Sequence, residues 1–158
     1  MSRAEIDDIL FHALMAFYRF ESEKIKRFGL GYLEILALQI LRRRSPLRMR
    51  ELVKDLGIPF SSATRLFARL EDSGYVKRIY AHEDRRGVHI HLAKEGEDVV
   101  KRIEDHSFEV ISDNVKNFST ESLSYFIATV RNMDKLLAVK GGILPEENFE
   151  KKNCDVSI

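Results

Sequence analysis

The sequence predicts a mainly α fold with a small β-hairpin, an α+β class. Apolar residues recur with a helical period before residue 44 and again after residue 93. Between these regions, two short segments with period-two patterning flank a charged loop, which is typical of a hairpin. The 158 residues are 44% apolar and 32% charged, a balance that favours a folded, soluble chain over a disordered one.

Two helices are predicted first. One runs from about Ala4 to Phe28 and ends at Gly29 and Gly31, because glycine is a weak helix former. The other runs from Tyr32 to Arg43 and ends before Pro46, because the residue before proline avoids the α region. The buried face expected for this second helix comprises Leu33, Leu36, Ala37, Ile40 and Leu41.

Two shorter helices are predicted next, separated by a glycine turn. After a short extended piece at 47–49, the first runs from Arg50 to Leu56 and stops at Gly57. Ser61 or Ser62 is expected to cap the second, which runs to about Ser73. Its inward residues are expected to be Ala63, Leu66, Phe67 and Leu70.

The hairpin is predicted from strands at 75–80 and 88–92, joined by a polar loop. A long helix should follow from Lys94 to about Phe118, and Ser119 should cap another that runs to about Lys140. Residues 141–158 show no period and are expected to form a flexible tail. The single cysteine, Cys154, lies in this tail and excludes an internal disulfide.

Charge is distributed unevenly along the chain. Residues 42–92 contain twelve Lys and Arg against six Asp and Glu, a net of +6, whereas the rest carries −5. A basic middle segment of this kind favours a polyanionic partner. Together with the order helix, glycine turn, helix, hairpin, it predicts a winged helix-turn-helix that binds double-stranded DNA.

Two groups of residues are predicted to contact DNA. The second helix of the motif would cross the major groove, with Arg65 placed to bind a guanine edge through two hydrogen bonds. The hairpin loop would place arginines in the minor groove, with Asp84 directing Arg86. The predicted DNA-binding residues are Ser61, Ser62, Thr64, Arg65, Arg69, Asp84, Arg85 and Arg86.

The residues of this segment resemble the MarR family of transcriptional regulators. The resemblance rests on the L-G-I turn at 56–58, S-S-x-T-R at 61–65, R-L-E-x-x-G-Y-V at 69–76, and D-R-R followed by L-A-K-E-G at 92–96. It extends from about Leu33 to Arg102. Phe60 departs from the pattern, since a polar or basic residue is common at that position.

The resemblance implies a homodimer whose first and last helices form the interface. It also implies a repressor that reads a pseudo-palindromic operator and that a small phenolic or lipophilic effector releases. Residues 33–93 would form the DNA-binding lobe, and residues 1–32 with 94–140 the helical dimerisation region. The expected interface residues are Ile6, Ile9, Leu10, Leu14, Leu123, Phe126, Ile127, Val130, Met133 and Leu137.

Other functional classes find less support in the sequence. It contains no P-loop, no G-x-S-x-G and no H-E-x-x-H, so neither an enzyme nor a cofactor is expected. His89 and His91 share a strand face without a further ligand, so no metal site is predicted. No apolar run is long enough to span a membrane, and a cytoplasmic, nucleoid-associated protein is expected. The alternative is a winged-helix dimer that binds proteins rather than DNA.

Overall fold

The computed structural model describes residues 1–80 and 87–138. It divides into two compact units, residues 1–118 and residues 119–158, and the second is described as far as residue 138. The predicted wing-tip residues Asp84, Arg85 and Arg86, and the tail with Cys154, lie outside the described residues.

The two N-terminal helices form as predicted. Helix α1 spans Arg3–Phe28 and begins with a reciprocal cap, in which Ser2 and Glu5 each accept a hydrogen bond from the other's backbone N–H. The N–H of Ser2 stabilises the Glu5 carboxylate and lowers the pKa of that group. Gly29 ends α1 at a φ of 67°, which favours glycine. Helix α2 spans Tyr32–Arg44.

The buried face predicted for α2 is partly wrong. The structure buries Ile35 and Leu38 beside the predicted Ala37 and Leu41. Leu33 is exposed, and Leu36 and Ile40 are only half-buried. The physical reason is that α2 packs against several elements, including α3, α4 and α5. Its buried residues therefore do not follow the single apolar stripe that the sequence suggests.

Helices α3 (Met49–Leu56) and α4 (Phe60–Asp72) form the helix-turn-helix. Gly57 ends α3 at a φ of 62°. The prediction that a serine caps α4 is wrong, because α4 begins one residue before Ser61, with Pro59 at the cap position. The carbonyl of Pro59 accepts hydrogen bonds from the backbone amides of Ser62 and Ala63, both at 3.0 Å. The two serines therefore lie in the first turn of α4.

The predicted hairpin is part of a three-stranded antiparallel sheet. Strands β2 (Val76–Tyr80) and β3 (Val88–Leu92) pair from Val76 opposite Leu92 to Tyr80 opposite Val88. The short segment β1 (Leu47–Arg48) pairs with the other edge of β3, which gives the order β1-β3-β2. The Ser45 hydroxyl accepts the N–H of Leu92 at 2.9 Å, so the end of α2 also anchors β3.

The C-terminal helices are shorter than predicted. Helix α5 spans Lys94–Val115. Ser119 caps α6 (Thr120–Arg131), as expected, but α6 does not continue to Lys140. Asn132 leaves the helical conformation, with φ −105° and ψ 9°, and a separate turn of helix, α7, covers Met133–Leu136. The Asn132 side chain donates a hydrogen bond to the carbonyl of Ala128. Such bonds between an asparagine side chain and the backbone compete with the continuation of a helix.

Among the residues that the structure describes, the buried apolar core lies between Leu30 and Ile103. It is formed by apolar side chains from α2, α3, α4, the sheet and the first half of α5. The largest fully buried side chains include Phe67, Ile35, Leu38, Leu41, Leu52, Leu70, Ile90 and Ile103. The four inward residues predicted for α4 are all buried, which confirms the orientation of that helix.

The start of α5 packs directly against the backbone of Tyr75. The Tyr75 carbonyl accepts the N–H of Ala93 at 3.0 Å, and Gly96 lies against the same carbonyl. A Cβ at Gly96 would overlap with that oxygen and would approach Leu92 Cδ1 to 2.8 Å. The glycine is therefore required for close packing between α5 and the base of the hairpin.

Gly96→Ala is expected to destabilise the fold, although alanine is the better helix former by about 1 kcal/mol. The backbone overlap should lower the free energy of unfolding by about 2 kcal/mol, a typical cost of overpacking. Chemical denaturation followed by circular dichroism measures this at fixed protein concentration. Gly31→Ala is the matched control, because its Cβ would meet nothing closer than 3.6 Å. Equal stability of the two variants would contradict the proposed packing.

Candidate nucleic-acid interface

The outward face of α4 carries the polar residues that the sequence predicted there. Ser61, Thr64, Arg65 and Arg69 are exposed, and Ser62 is half-buried. The opposite face is fully used in the core, and the amide of Tyr75 donates to the carbonyl of Leu70 at 2.9 Å, which fixes the end of the helix. The helix thus presents a small polar surface on a rigid support.

Two outward residues differ in how they are held. The hydroxyl of Thr64 donates to the carbonyl of Phe60 at 2.9 Å, one turn earlier in α4. Arg65 forms no ion pair with any of the residues that the structure describes. Among these residues, no carboxylate competes with an external acceptor for its guanidinium group.

Arg69 is more constrained than the sequence suggested. Its Nε lies 3.0 Å from Glu34 Oε1, and the Glu34 side chain is mostly buried while that of Arg69 is exposed. The other oxygen of Glu34 accepts the N–H of Gly31 at 2.8 Å. One carboxylate therefore joins the turn between α1 and α2 to the DNA-facing helix.

Arg78 is a residue beneath the candidate interface that the sequence reasoning missed. Its Nη2 donates to the carbonyl of Thr64 at 3.1 Å, and its Nε lies 3.1 Å from Glu71 Oε2. The other oxygen of Glu71 accepts the Arg78 backbone N–H at 3.2 Å. The imperfect alternation at Lys77-Arg78 was the available signal, since it places an arginine where an inward residue is expected.

Arg78 joins the hairpin to α4. Because Thr64 belongs to the outward face, the same arginine that anchors β2 also holds the backbone beneath the predicted DNA-contacting residues. The geometry of the hairpin is continuous up to the Tyr80–Val88 pair, from which the loop with the predicted arginines begins.

The described residues contain no group of three or more histidine, cysteine or acidic side chains placed to hold a metal ion. Among them, no helix combines the length and apolarity that crossing a bilayer requires.

Comparison with known proteins identifies the family. Residues 31–88 match the model of the MarR family. The regulator MgrA of Staphylococcus aureus is 30% identical over 104 residues, which span 65% of this chain and 71% of MgrA. The chain belongs to the MarR family. It is therefore a transcriptional regulator with a DNA-binding winged helix, in a family of regulators rather than enzymes.

Solved structures of MarR-family proteins share this fold. A MarR family protein from Bacillus stearothermophilus superposes with a TM-score of 0.76 at 21% identity, over 86% of this chain and 95% of that one. FabT from Streptococcus pneumoniae, solved in complex with DNA, gives 0.72 at 18% identity, over 86% and 97%. NadR in complex with 4-hydroxyphenylacetate gives 0.66 at 21% identity, over the same shares of the two chains.

Arg78→Ala is expected to loosen the hairpin from α4 and to lower the free energy of unfolding by about 1–3 kcal/mol, the usual loss for hydrogen bonds to a charged group. Arg78→Lys should recover little of the lost free energy of unfolding, because one ammonium group cannot reproduce the geometry of a guanidinium group. Thermal and chemical denaturation provide the measurement. Lys77→Ala, an exposed neighbour, is the control and should stay within about 0.5 kcal/mol of the original protein. A fully stable Arg78→Lys variant would rule out the specific role of the guanidinium group.

Proposed function

We propose that this regulator is a ligand-released repressor that acts as a homodimer on a pseudo-palindromic operator. The observation that carries the proposal is the two-sided α4, with one face buried in the core and the other exposed and polar. FabT, which shares the fold, has been solved in complex with DNA. The repressor mode is the one that the family resemblance implies.

In this proposal, α4 enters the major groove. Ser61, Ser62 and Thr64 approach the backbone and base edges, and Arg65 binds a guanine through two hydrogen bonds. Arg69, held by Glu34, is better placed for a phosphate contact than for a base contact. At the wing, Asp84, Arg85 and Arg86 supply the minor-groove contact, with Asp84 orienting Arg86.

Dimerisation through α1 is supported by its exposed apolar surface. Ile6, Ile9, Leu10 and Leu14 are all exposed in the single chain, together with Phe11, Phe17 and Tyr18. A surface of this extent is unusual on a monomer and indicates a protein contact. In α6 and α7 no residue is buried. We propose that Leu123, Phe126, Ile127, Val130, Met133 and Leu137 belong to the same interface.

These surfaces support a proposed division of the chain into two regions. Residues 33–93 form the DNA-binding lobe, and residues 1–32 with 94–140 form the dimerisation region. A second copy of the lobe would then face an adjacent half-site, roughly 34 Å away, which is one turn of B-DNA.

A solvent-open cavity of about 410 Å³ between the end of α1 and α5 is the proposed effector site. Arg27, Phe28, Arg102 and His106 line it with Asp105 and Glu109. The Phe28 ring lies 5.7 Å from the Arg102 guanidinium carbon and 6.0 Å from the His106 ring. This lining suits a small phenolic acid, because arginine pairs with a carboxylate, a carboxylate accepts from a phenol and Phe28 contacts the ring. NadR has been solved with such a compound.

Arg65→Ala and Arg86→Ala are each expected to weaken binding about tenfold, the order of one base contact. The probe is duplex DNA selected by the original protein from fragments of genomic DNA, and fluorescence anisotropy at several salt concentrations gives the affinity. Lys101→Ala, on the exposed side of α5, is the control. Affinity that does not fall with salt would favour the alternative of a protein-binding module, since phosphate contacts release counterions.

Leu14→Glu is expected to break the dimer, because a charge would be buried in an apolar interface. Leu14 is 66% exposed in the single chain, so the lobe itself should remain folded. The molar mass measured by light scattering after size exclusion should fall from twice the 18.4 kDa mass of the chain to the mass of one chain. Lys54→Glu, which introduces a glutamate at an exposed position of α3, should stay dimeric. An original protein of 18.4 kDa at micromolar concentration would overturn the dimer.

Saturating 4-hydroxyphenylacetate is expected to raise the Tm and to weaken DNA binding. A ligand at 100 times its Kd stabilises the form that it binds by about 2.7 kcal/mol. Arg102→Ala should remove both effects, whereas Lys101→Ala, which does not line the cavity, should keep them. 4-Ethylphenol, which lacks the carboxylate, should have a smaller effect. Unchanged Tm and DNA affinity at millimolar concentrations would exclude phenolic acids as the effector class.

A further inference from the structure

Phe60, the first residue of α4, carries an exposed aromatic ring. It is 58% exposed, whereas Phe67, the other aromatic residue of α4, is completely buried. Phe60 takes no part in the core and is not among the partly buried residues that pack against it. Its ring therefore makes no evident contribution to the stability of the lobe.

Thr64 extends the apolar character of this end of the helix. It lies one turn after Phe60, so the two side chains are neighbours on the surface. Because its hydroxyl hydrogen is donated to the carbonyl of Phe60, the Thr64 side chain offers an external partner its γ-methyl and its hydroxyl oxygen as an acceptor. Ser61 and Arg65, also one turn apart, form the adjacent polar row.

The surroundings of Phe60 indicate what could cover it. The segment from residue 42 to 92 has a net charge of +6, and Arg65 on the same helix has no ion-pair partner among the described residues. A basic surface of this kind attracts a polyanion rather than an apolar protein face. The residues at the N-terminal end of a recognition helix are those that reach base edges in the major groove.

We propose that Phe60 is a specificity residue that contacts the C5-methyl group of a thymine in the major groove. Apolar side chains recognise this methyl, which is the one apolar group on the major-groove edges of the four bases. The ring would lose solvent exposure on binding, and the partner would be an A·T pair in each half-site. This inference rests on the proposed DNA-binding role of α4. It adds an apolar readout to the guanine contact assigned to Arg65.

The test compares thymine with uracil, which differ only by the methyl group. Duplexes are first selected from a random-sequence pool by the original protein, and each thymine of the selected half-site is then replaced by deoxyuridine, one at a time. One replacement in one of the two half-sites should weaken binding about fourfold, the effect of about 0.8 kcal/mol for one buried carbon. A duplex with 5-methylcytosine at that position should bind more tightly than its cytosine counterpart.

Variants of the protein test whether Phe60 makes the contact with the thymine methyl group. Phe60→Ala should bind the thymine and uracil duplexes equally and, in a repeated selection, should lose the preference for that A·T pair. Arg65→Ala should bind both duplexes more weakly and keep their fourfold ratio. Tyr80→Ala, which removes an exposed aromatic ring on β2, should also keep the ratio. Circular dichroism and Tm confirm that each variant is folded.

The other outcomes are distinct. Equal binding of all uracil duplexes by the original protein would overturn the inference, even if Phe60→Ala weakens binding, because the ring would then contact sugar or another group. An unchanged thymine-to-uracil ratio in Phe60→Ala would assign the methyl contact to a different residue and would also overturn it. In both cases salt-dependent binding by the original protein would leave the proposed function standing. Failure to select any duplex would instead reject that function.

Discussion

The peptide groups of Tyr75 hold together the three elements on which the regulator depends. The amide of Tyr75 donates to the carbonyl of Leu70 at the end of α4, and its carbonyl accepts the N–H of Ala93 just before α5. Gly96 packs against the same carbonyl. Helix α4, the base of the hairpin and the long helix α5 therefore meet at one residue. Because α4, α5 and the start of β2 share these hydrogen bonds, the position of the hairpin relative to α4 is set without DNA.

Charged side chains reinforce this relation on the surface of the lobe. Arg78 connects β2 to the carbonyl of Thr64 and to Glu71, so the backbone of α4 is held from the wing side. Glu34 pairs with Arg69 and also accepts the N–H of Gly31 at the α1–α2 turn. The α1–α2 turn and α4 therefore share one carboxylate. The proposed effector cavity begins at Arg27 and Phe28, immediately before that turn.

The sequence predicted the α+β class, the two-helix motif and the hairpin, because each has a local signal. Amphipathic periods, the left-handed glycines at 29 and 57, and the period-two strands require no knowledge of distant residues. The four inward residues of α4 were predicted in full for the same reason. Errors arose where two local signals competed. Ser61 is a good cap, but Pro59 fixes φ at −59° and starts the helix earlier. Asn132 interrupts a continuous apolar stripe that the periodicity extended to Lys140.

The sequence by itself determined the order of the elements and the outward residues of α4, since spacing encodes both, and its motifs carried the resemblance to the family. Only the tertiary structure showed that β1 completes the sheet, that Glu34 holds Arg69 and that Arg78 reaches Thr64. It also showed that Phe60 is exposed although it lies two helical turns before the buried Phe67. These features depend on pairs of residues far apart in the chain, such as 34 and 69, and on where the core ends. A local pattern carries neither kind of information.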